Sequence, residues 1–409
     1  MRPTVAVTGF GVLGPLGRGA EATSAALREG RSGVVSMRPA WAEFGLRSQV
    51  AGVVDAAPYR DAFDRRQLRF MADAAVLAAT AMRDAIAHAG LAAAEVESPR
   101  TGLVVGTGAG ASLPDAIALG ERAKARGGSR VGPFQVPLIM GSSLSANLGG
   151  IFHIHGQAYS VTSACATSAH AALIGLDLIR SGRLDRVFVG GAESVDVYSA
   201  STFDGMGALS SAYNDDPPRA SRPLDRNRDG FVFASGAGIL VLENLEVAKA
   251  RGASPHAILR GAGATCDGDD MVAPNGIGAE GAMRLALEDA GVAPADIDYI
   301  NLHGTSTPVG DLVEVEAIRR VFAPRIPAFS STKSMTGHGL GAAGALEAIY
   351  SMLMMRDRFL APNINLDDPE PAVADLPVVR TAEAAEPTIV LSNSFGFGGT
   401  NCSLILSLA

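Results

Sequence analysis

Short apolar runs alternate with longer alanine-rich stretches along the whole chain, and this alternation predicts strands and helices in turn. Residues 4–8 read as a strand, 21–28 as a helix, 71–89 as a long helix and 101–106 as a strand. A helix covering 142–148 follows. An apolar segment then turns a corner at Cys165 into a helix that runs to Arg180, and 186–191, 230–234 and 237–245 read as strands. Near residue 250 the order starts again, with strand 257–265, helix 279–291, strand 297–302, helix 311–321, strand 328–331 and helix 341–355. Strands 388–392 and 402–407 close it. One order used twice predicts a duplicated β/α unit with halves 1–250 and 251–409. Such alternation predicts an α/β fold of mostly parallel sheets covered by helices. In these folds chemistry gathers beyond the carboxyl ends of strands, and Cys165, His303 and the segment from Lys333 to His338 all follow predicted strands.

With 409 residues, 47% of them hydrophobic, the chain can bury a large core. No apolar run is long enough to span a bilayer, so no membrane partner is expected, and the first residues read as a strand and turn rather than a signal peptide. Cys165, Cys266 and Cys402 form no disulfide framework, which predicts a reducing, cytoplasmic setting. A net charge of −8 argues against nucleic-acid binding, which relies on positive charge. Two local clusters are basic: Arg65, Arg66 and Arg69, and then Arg122, Lys124, Arg126 and Arg130, the latter read as a glycine-bearing loop. Each reads as a solvated face or as a docking patch for an acidic partner. The glycine-rich stretch 106–110 lacks the spacings of a nucleotide-binding loop.

Cys165 stands at the start of a helix, where unpaired backbone N–H groups and the helix dipole favour a thiolate. It reads as a nucleophile or as a small buried hydrophobe, and the residue alone leaves both open. His303, in Asn301-Leu302-His303-Gly304-Thr305-Ser306-Thr307, follows a buried strand and is followed by small hydroxyl residues that leave room for a ligand. A structural and a catalytic histidine fit this position equally. Lys333 and His338 lie five residues apart in a loop before a glycine- and alanine-rich helix. The stretch Ser394-Phe395-Gly396-Phe397-Gly398-Gly399 places glycines around two aromatics, as an unusual backbone turn requires.

These motifs, in this order, closely resemble the β-ketoacyl-acyl carrier protein synthases of the thiolase fold. The resemblance covers the whole chain, from Val7-Thr8-Gly9 through Leu27-Arg28-Glu29-Gly30 to Gly398-Gly399-Thr400-Asn401. Ser163-Ala164-Cys165-Ala166-Thr167-Ser168-Ala169-His170 and Met271-Val272-Ala273-Pro274 favour its synthase I branch.

The resemblance implies a layered α-β-α-β-α architecture and a decarboxylative Claisen condensation of an acyl-enzyme with malonyl-acyl carrier protein (malonyl-ACP) in fatty-acid elongation. By it, Cys165 carries the acyl group, and the backbone N–H groups of Cys165 and Phe397 form the oxyanion hole. His303 and His338 would donate to the malonyl thioester oxygen, with Lys333 and Glu314 as a charged pair behind His303. Thr305 and Thr307 would hold the phosphopantetheine arm. Phe395, Gly396 and the gating Phe397 would flank the substrate, and residues 267–276 would form a second mobile loop. Phe203 would line the acyl pocket and Ala109 would stand at its end. Arg66, Arg69, Arg126 and Arg130 would dock the acidic carrier, and Asn301, Glu347, Ser392 and Asn393 would hold a structural cation. No cofactor is implied. A homodimer is, with residues 137–140 of one copy reaching the pocket of the other. His338 argues against the chain-initiating synthases, the 398–401 tail against a degradative thiolase, and Cys165 against a silent chain-length subunit. An elongating ketosynthase of a specialised polyene or polyketide pathway stands as the alternative.

Overall fold

The computed structural model describes residues 2–110 and 112–409. The first half supplies strands β1 (Val5–Gly14), β2 (Thr101–Gly106), β3 (Ala158–Ser160), β4 (Arg186–Glu193) and β5 (Gly236–Asn244). The second supplies β6 (Ala257–Cys266), β7 (Tyr299–Asn301), β8 (Ala328–Ser330), β9 (Ile389–Gly396) and β10 (Thr400–Ser407). The spatial order is β1-β5-β4-β2-β3 in the first half and β6-β10-β9-β7-β8 in the second, the same permutation. Orientations repeat as well. The second strand of each half is parallel to the third and fourth, and the fifth is antiparallel to the first and fourth. The first strands of the halves join antiparallel, Ala6 opposite Ile258 and Val7 opposite Ala257.

Helices α1 (Asp73–Ala89), α2 (Leu113–Arg126), α3 (Ser143–Ile151), α4 (Thr167–Arg180), α5 (Ile277–Ala290), α6 (Gly310–Phe322) and α7 (Ala343–Asp357) surround these strands. α1 and α3 cover the outer face of the first half, and α5 with α6 covers that of the second. α4 and α7 lie between, touching strands of both halves, which completes five layers. α7 shows no amphipathic stripe because it is covered all round; every residue from Ala343 to Met355 is buried. Alanines on α1 let it approach β1 closely: a Cβ on Gly11 would collide with the Ala81 carbonyl oxygen.

Three expectations change. The strands are not mostly parallel: among these strands four pairings are parallel and five antiparallel, because β9 and β10 form a hairpin and β5 runs back between β1 and β4. Residues 230–234 form no strand. Phe231 and Phe233 make single bridges to Leu209 and His338, because they face loops rather than a strand edge. Arg122, Lys124 and Arg126 lie on α2 rather than in a loop; Ser112 caps its first turn and Gly127 ends it, with Gly120 in mid-run having masked the pattern.

Candidate active site

β3 ends at Ser160, and the chain turns through Ala164, whose φ of 49° is left-handed and strained for alanine. Cys165 follows, immediately before the Ala166 cap of α4. The turn between β9 and β10 closes on this elbow because Gly396 has no side chain: a Cβ there would lie 3.0 Å from the Ser163 carbonyl and 3.1 Å from the Cys165 nitrogen. Thr400 Oγ1 donates to the same carbonyl at 3.0 Å.

The elbow does not hold a resting thiolate. Burial pushes the Cys165 thiol up to about 12, outweighing Lys333 and the N–H groups of Phe397 and Cys165, which pull it down. The helix start aids a thiolate less than burial of the sulfur opposes it. Beside the sulfur stand His303 and His338, rings 5.2 Å apart at 86°, and one ligand atom of each lies within 4.8 Å of the others and of Cys165 Sγ. Burial first, then the charge of Lys333, holds both imidazoles neutral, well below the usual histidine range. Each neutral ring has one N–H to donate and one nitrogen to accept.

Glu314 accepts the backbone N–H of His303 at 2.9 Å, that of Gly304 at 2.7 Å and the Asn393 amide at 3.0 Å. It therefore fixes the main chain under His303 rather than the imidazole. The expected Lys333–Glu314 pair is absent. Lys333 is buried against Glu347 on α7, because three N–H groups already occupy Glu314. Burial raises the Glu347 carboxyl to about 7 against the pull of Lys333.

A pocket of about 450 Å³ opens from Cys165, His303 and His338 to the surface. Thr305, Thr307, Phe203, Phe395, Gly396 and Phe397 line it, and the two threonine hydroxyls are 3.1 Å apart. Ala109 does not. It borders a separate cavity of about 30 Å³ with Leu138 and Met140, because residues 107–110 fold back over the end of β4. At the mouth, the 267–276 loop and the Phe397 turn are joined: Gly398 donates to the Met271 carbonyl at 2.8 Å and Asp267 to that of Gly399 at 2.9 Å. The Asn401 amide donates to Asp267 Oδ1 at 2.9 Å.

The four residues of the expected cation site fit it only in part. Glu347 Oε2 and Ser392 Oγ are buried oxygens without a partner among the described residues, as a hard cation needs. The Asn301 amide instead bonds Thr332, and that of Asn393 is taken by Glu314 and Ser403. Arg66 and Arg69 are exposed on and just after a short helix, Arg65–Leu68. The Arg69 guanidinium lies 5.2 Å from the Phe134 ring, which ties this cluster to the segment carrying exposed Arg130; exposed Arg126 ends α2.

Two residues escaped the sequence. Phe231 packs its ring edge-on to His338 at 5.5 Å, and Glu193 is a buried carboxylate at the end of β4. A charged residue closing an apolar strand was the signal for Glu193.

The family models for the N-terminal and C-terminal domains of β-ketoacyl synthase match residues 2–248 and 256–367. The chain belongs to the β-ketoacyl synthase family. This synthase is 48% identical over 406 residues to 3-oxoacyl-[acyl-carrier-protein] synthase 1 of Haemophilus influenzae, covering 99% of this chain and 98% of that protein. A β-ketoacyl synthase from Burkholderia phymatum STM815 shares its fold over all of both chains, with a TM-score of 0.93 and 35% identity. So does a type II polyketide ketosynthase solved with its acyl-carrier protein and bound to the hexaketide, with a TM-score of 0.87 and 28% identity. The synthase is a condensing acyltransferase of fatty-acid elongation with a thiolase-like fold. No helix among its described residues is long and apolar enough to cross a membrane.

Proposed function

We propose that Cys165, His303 and His338 carry out the condensation in two half-reactions on acyl-ACP and malonyl-ACP. The convergence of a thiol and two neutral imidazoles, with the N–H groups of Phe397 and Cys165 on the sulfur, carries this reading. In the first half-reaction Sγ attacks the acyl thioester carbonyl while a neighbouring imidazole takes the thiol proton. The tetrahedral oxyanion rests on the two backbone N–H groups. The acyl–sulfur bond of the carrier breaks, and the departing phosphopantetheine thiol receives that proton.

Malonyl-ACP then enters, its arm beside Thr305 and Thr307. The bond to its carboxylate breaks, carbon dioxide leaves, and the electron pair passes into an enolate held by the N–H groups of His303 and His338. The enolate carbon attacks the acyl-Cys165 carbonyl, and collapse of that adduct expels Cys165 as a thiolate, which regains a proton. Lys333 and Glu347 set the field around the imidazoles and Glu314 sets the backbone beneath them. No step needs a cofactor. A cation on Glu347 and Ser392 would add positive charge near the site and nothing more.

Mass spectrometry of the enzyme after incubation with a panel of acyl-ACPs tests the reading. One acyl group is expected on the Cys165 peptide, strongest at the preferred chain length. Acylation at any other residue would overturn the assignment. The 48% identity to a synthase 1, against 28% to the polyketide ketosynthase, favours fatty-acid over polyketide elongation.

The carrier docks, in this reading, on Arg66, Arg69, Arg126 and Arg130, whose exposed guanidinium groups suit an acidic surface. Reversing two charges, Arg66→Glu with Arg69→Glu, is expected to raise KM for acyl-ACP about tenfold at low salt while kcat holds. Added salt should raise the wild-type KM more than that of the variant. Equal KM values across the salt series would remove these arginines from the interface. The exposed edge strand β3, with Ala158 and Tyr159 open to pairing with a second copy, supports a homodimer. Three free cysteines suit a cytoplasmic setting.

A further inference from the structure

β4 ends behind the nucleophile at Glu193, a side chain only 3% exposed that makes no ion pair among the described residues. Its Oε2 instead gathers N–H groups from two loops. Gly108 donates at 2.7 Å and Ala109 at 3.3 Å from the loop after β2; Gly341 donates at 3.1 Å from the turn between His338 and α7.

The loops meet there through bare backbone. A Cβ on Gly108 would lie 2.5 Å from the Gly341 nitrogen and 2.8 Å from the carbonyl oxygen of Ala164, the residue before Cys165. A Cβ on Gly191 would lie 2.5 Å from the Gly341 carbonyl oxygen. With Gly108 and Gly341 this close, their amide dipoles converge, and an apolar residue in place of Glu193 would leave three N–H groups unpaired. A carboxylate answers all three at once.

We propose that Glu193 is a positioning residue for the second half-reaction: its carboxylate ties the loop after β2 to the turn that follows His338, and so holds His338 in place. The proposal rests on the role assigned above to His338. Glu193 touches neither substrate and acts through backbone. The charge is costly to keep there. Burial pushes the carboxyl up to about 7 against the three N–H groups, and Asp196 pushes the same way. Asp196, on the segment before the helix Val197–Gly205, and the Cys165 thiol at the start of α4 are the titratable groups facing it.

Hydrogen exchange by mass spectrometry on the wild-type enzyme tests the tie. Peptides reporting Gly108, Ala109 and Gly341 should be protected, and Glu193→Ala, which removes the shared acceptor, should release them together while the rest of the chain is unchanged. Rapid exchange at these amides in the wild type overturns the proposal without any variant. Kinetics supply the second arm. Glu193→Ala is expected to leave acylation by a short acyl-ACP within about twofold of wild type and to lower kcat for carbon dioxide release from malonyl-ACP about tenfold to a hundredfold at unchanged KM. Should that variant not fold, Gly341→Ala keeps the carboxylate but sets a Cβ against Gly108, and the same split is expected. Equal loss of both half-reactions with a lowered Tm would make the role merely structural. His338→Ala run in parallel separates the two readings. Normal carbon dioxide release there would overturn the role given to His338, and the exchange data would still decide whether Glu193 joins the loops.

Discussion

Cys165→Ala is expected to lower condensation by on the order of 10⁴-fold or more and to abolish acyl-enzyme formation while the fold persists. No second thiol can stand in. Cys266 is exposed and directed at the Gly398 carbonyl, and Cys402 is buried within β10. The substitution removes one sulfur from a pocket that is open on one side, so the loss of packing is about 1 kcal/mol, about one degree in Tm for a chain of this size. Intact-mass measurement after incubation with acyl-ACP decides the matter. An acyl shift on the variant would place the nucleophile elsewhere, and a collapsed Tm would show that Cys165 matters to the fold.

His303→Ala and His338→Ala are each expected to leave acylation of Cys165 within about tenfold of wild type and to slow decarboxylation of malonyl-ACP by roughly 10² to 10³. His303 Nδ1 and both ring nitrogens of His338 have no protein partner among the described residues. Removing either ring therefore strands no donor or acceptor, and what is lost is what the ring offers the substrate. Two donors to one oxygen act as a unit, so the double variant should fall short of the product of the single losses. Both imidazoles are held neutral well below 6.5, first by burial and then by Lys333, so neither titrates as pH falls from 8 to 6.5. Carbon dioxide release should carry no limb from them in that window. Radiolabelled malonyl-ACP gives the readout, and an undiminished rate in either variant would remove that ring from the step.

The strands were legible because their apolar runs are bounded by turn residues, and β2, β4, β6 and β9 lie where periodicity puts them. The positions of Cys165, His303 and His338 were legible because each follows a strand. Their surroundings were not. Which acid takes Lys333 depends on Glu314 being filled by the N–H groups of His303 and Gly304, a matter of backbone placement that spacing along the chain does not record. The protonation of Cys165 depends on how deeply the folded chain buries its sulfur, whereas the sequence displayed only the helix start that works against this. Ala109 follows β2 by a few residues, yet the Glu193 carboxylate folds its loop away from the main pocket. Such contacts arise between segments far apart in the chain, where no local pattern betrays them.

Of the ten strands β10 is made last, yet it is an interior strand, seated between β6 and β9. Cys165 is therefore made long before the sheet that supports its partners can close, and the Phe397 turn takes shape only when β9 and β10 pair. Such late, long-range pairing is slow to form. Until it forms, the growing chain exposes a thiol without the imidazoles and amides that would make it reactive toward thioesters. Catalytic competence waits for that pairing, and a chain that stops a few residues short of β10 yields an inert thiol rather than a half-working enzyme.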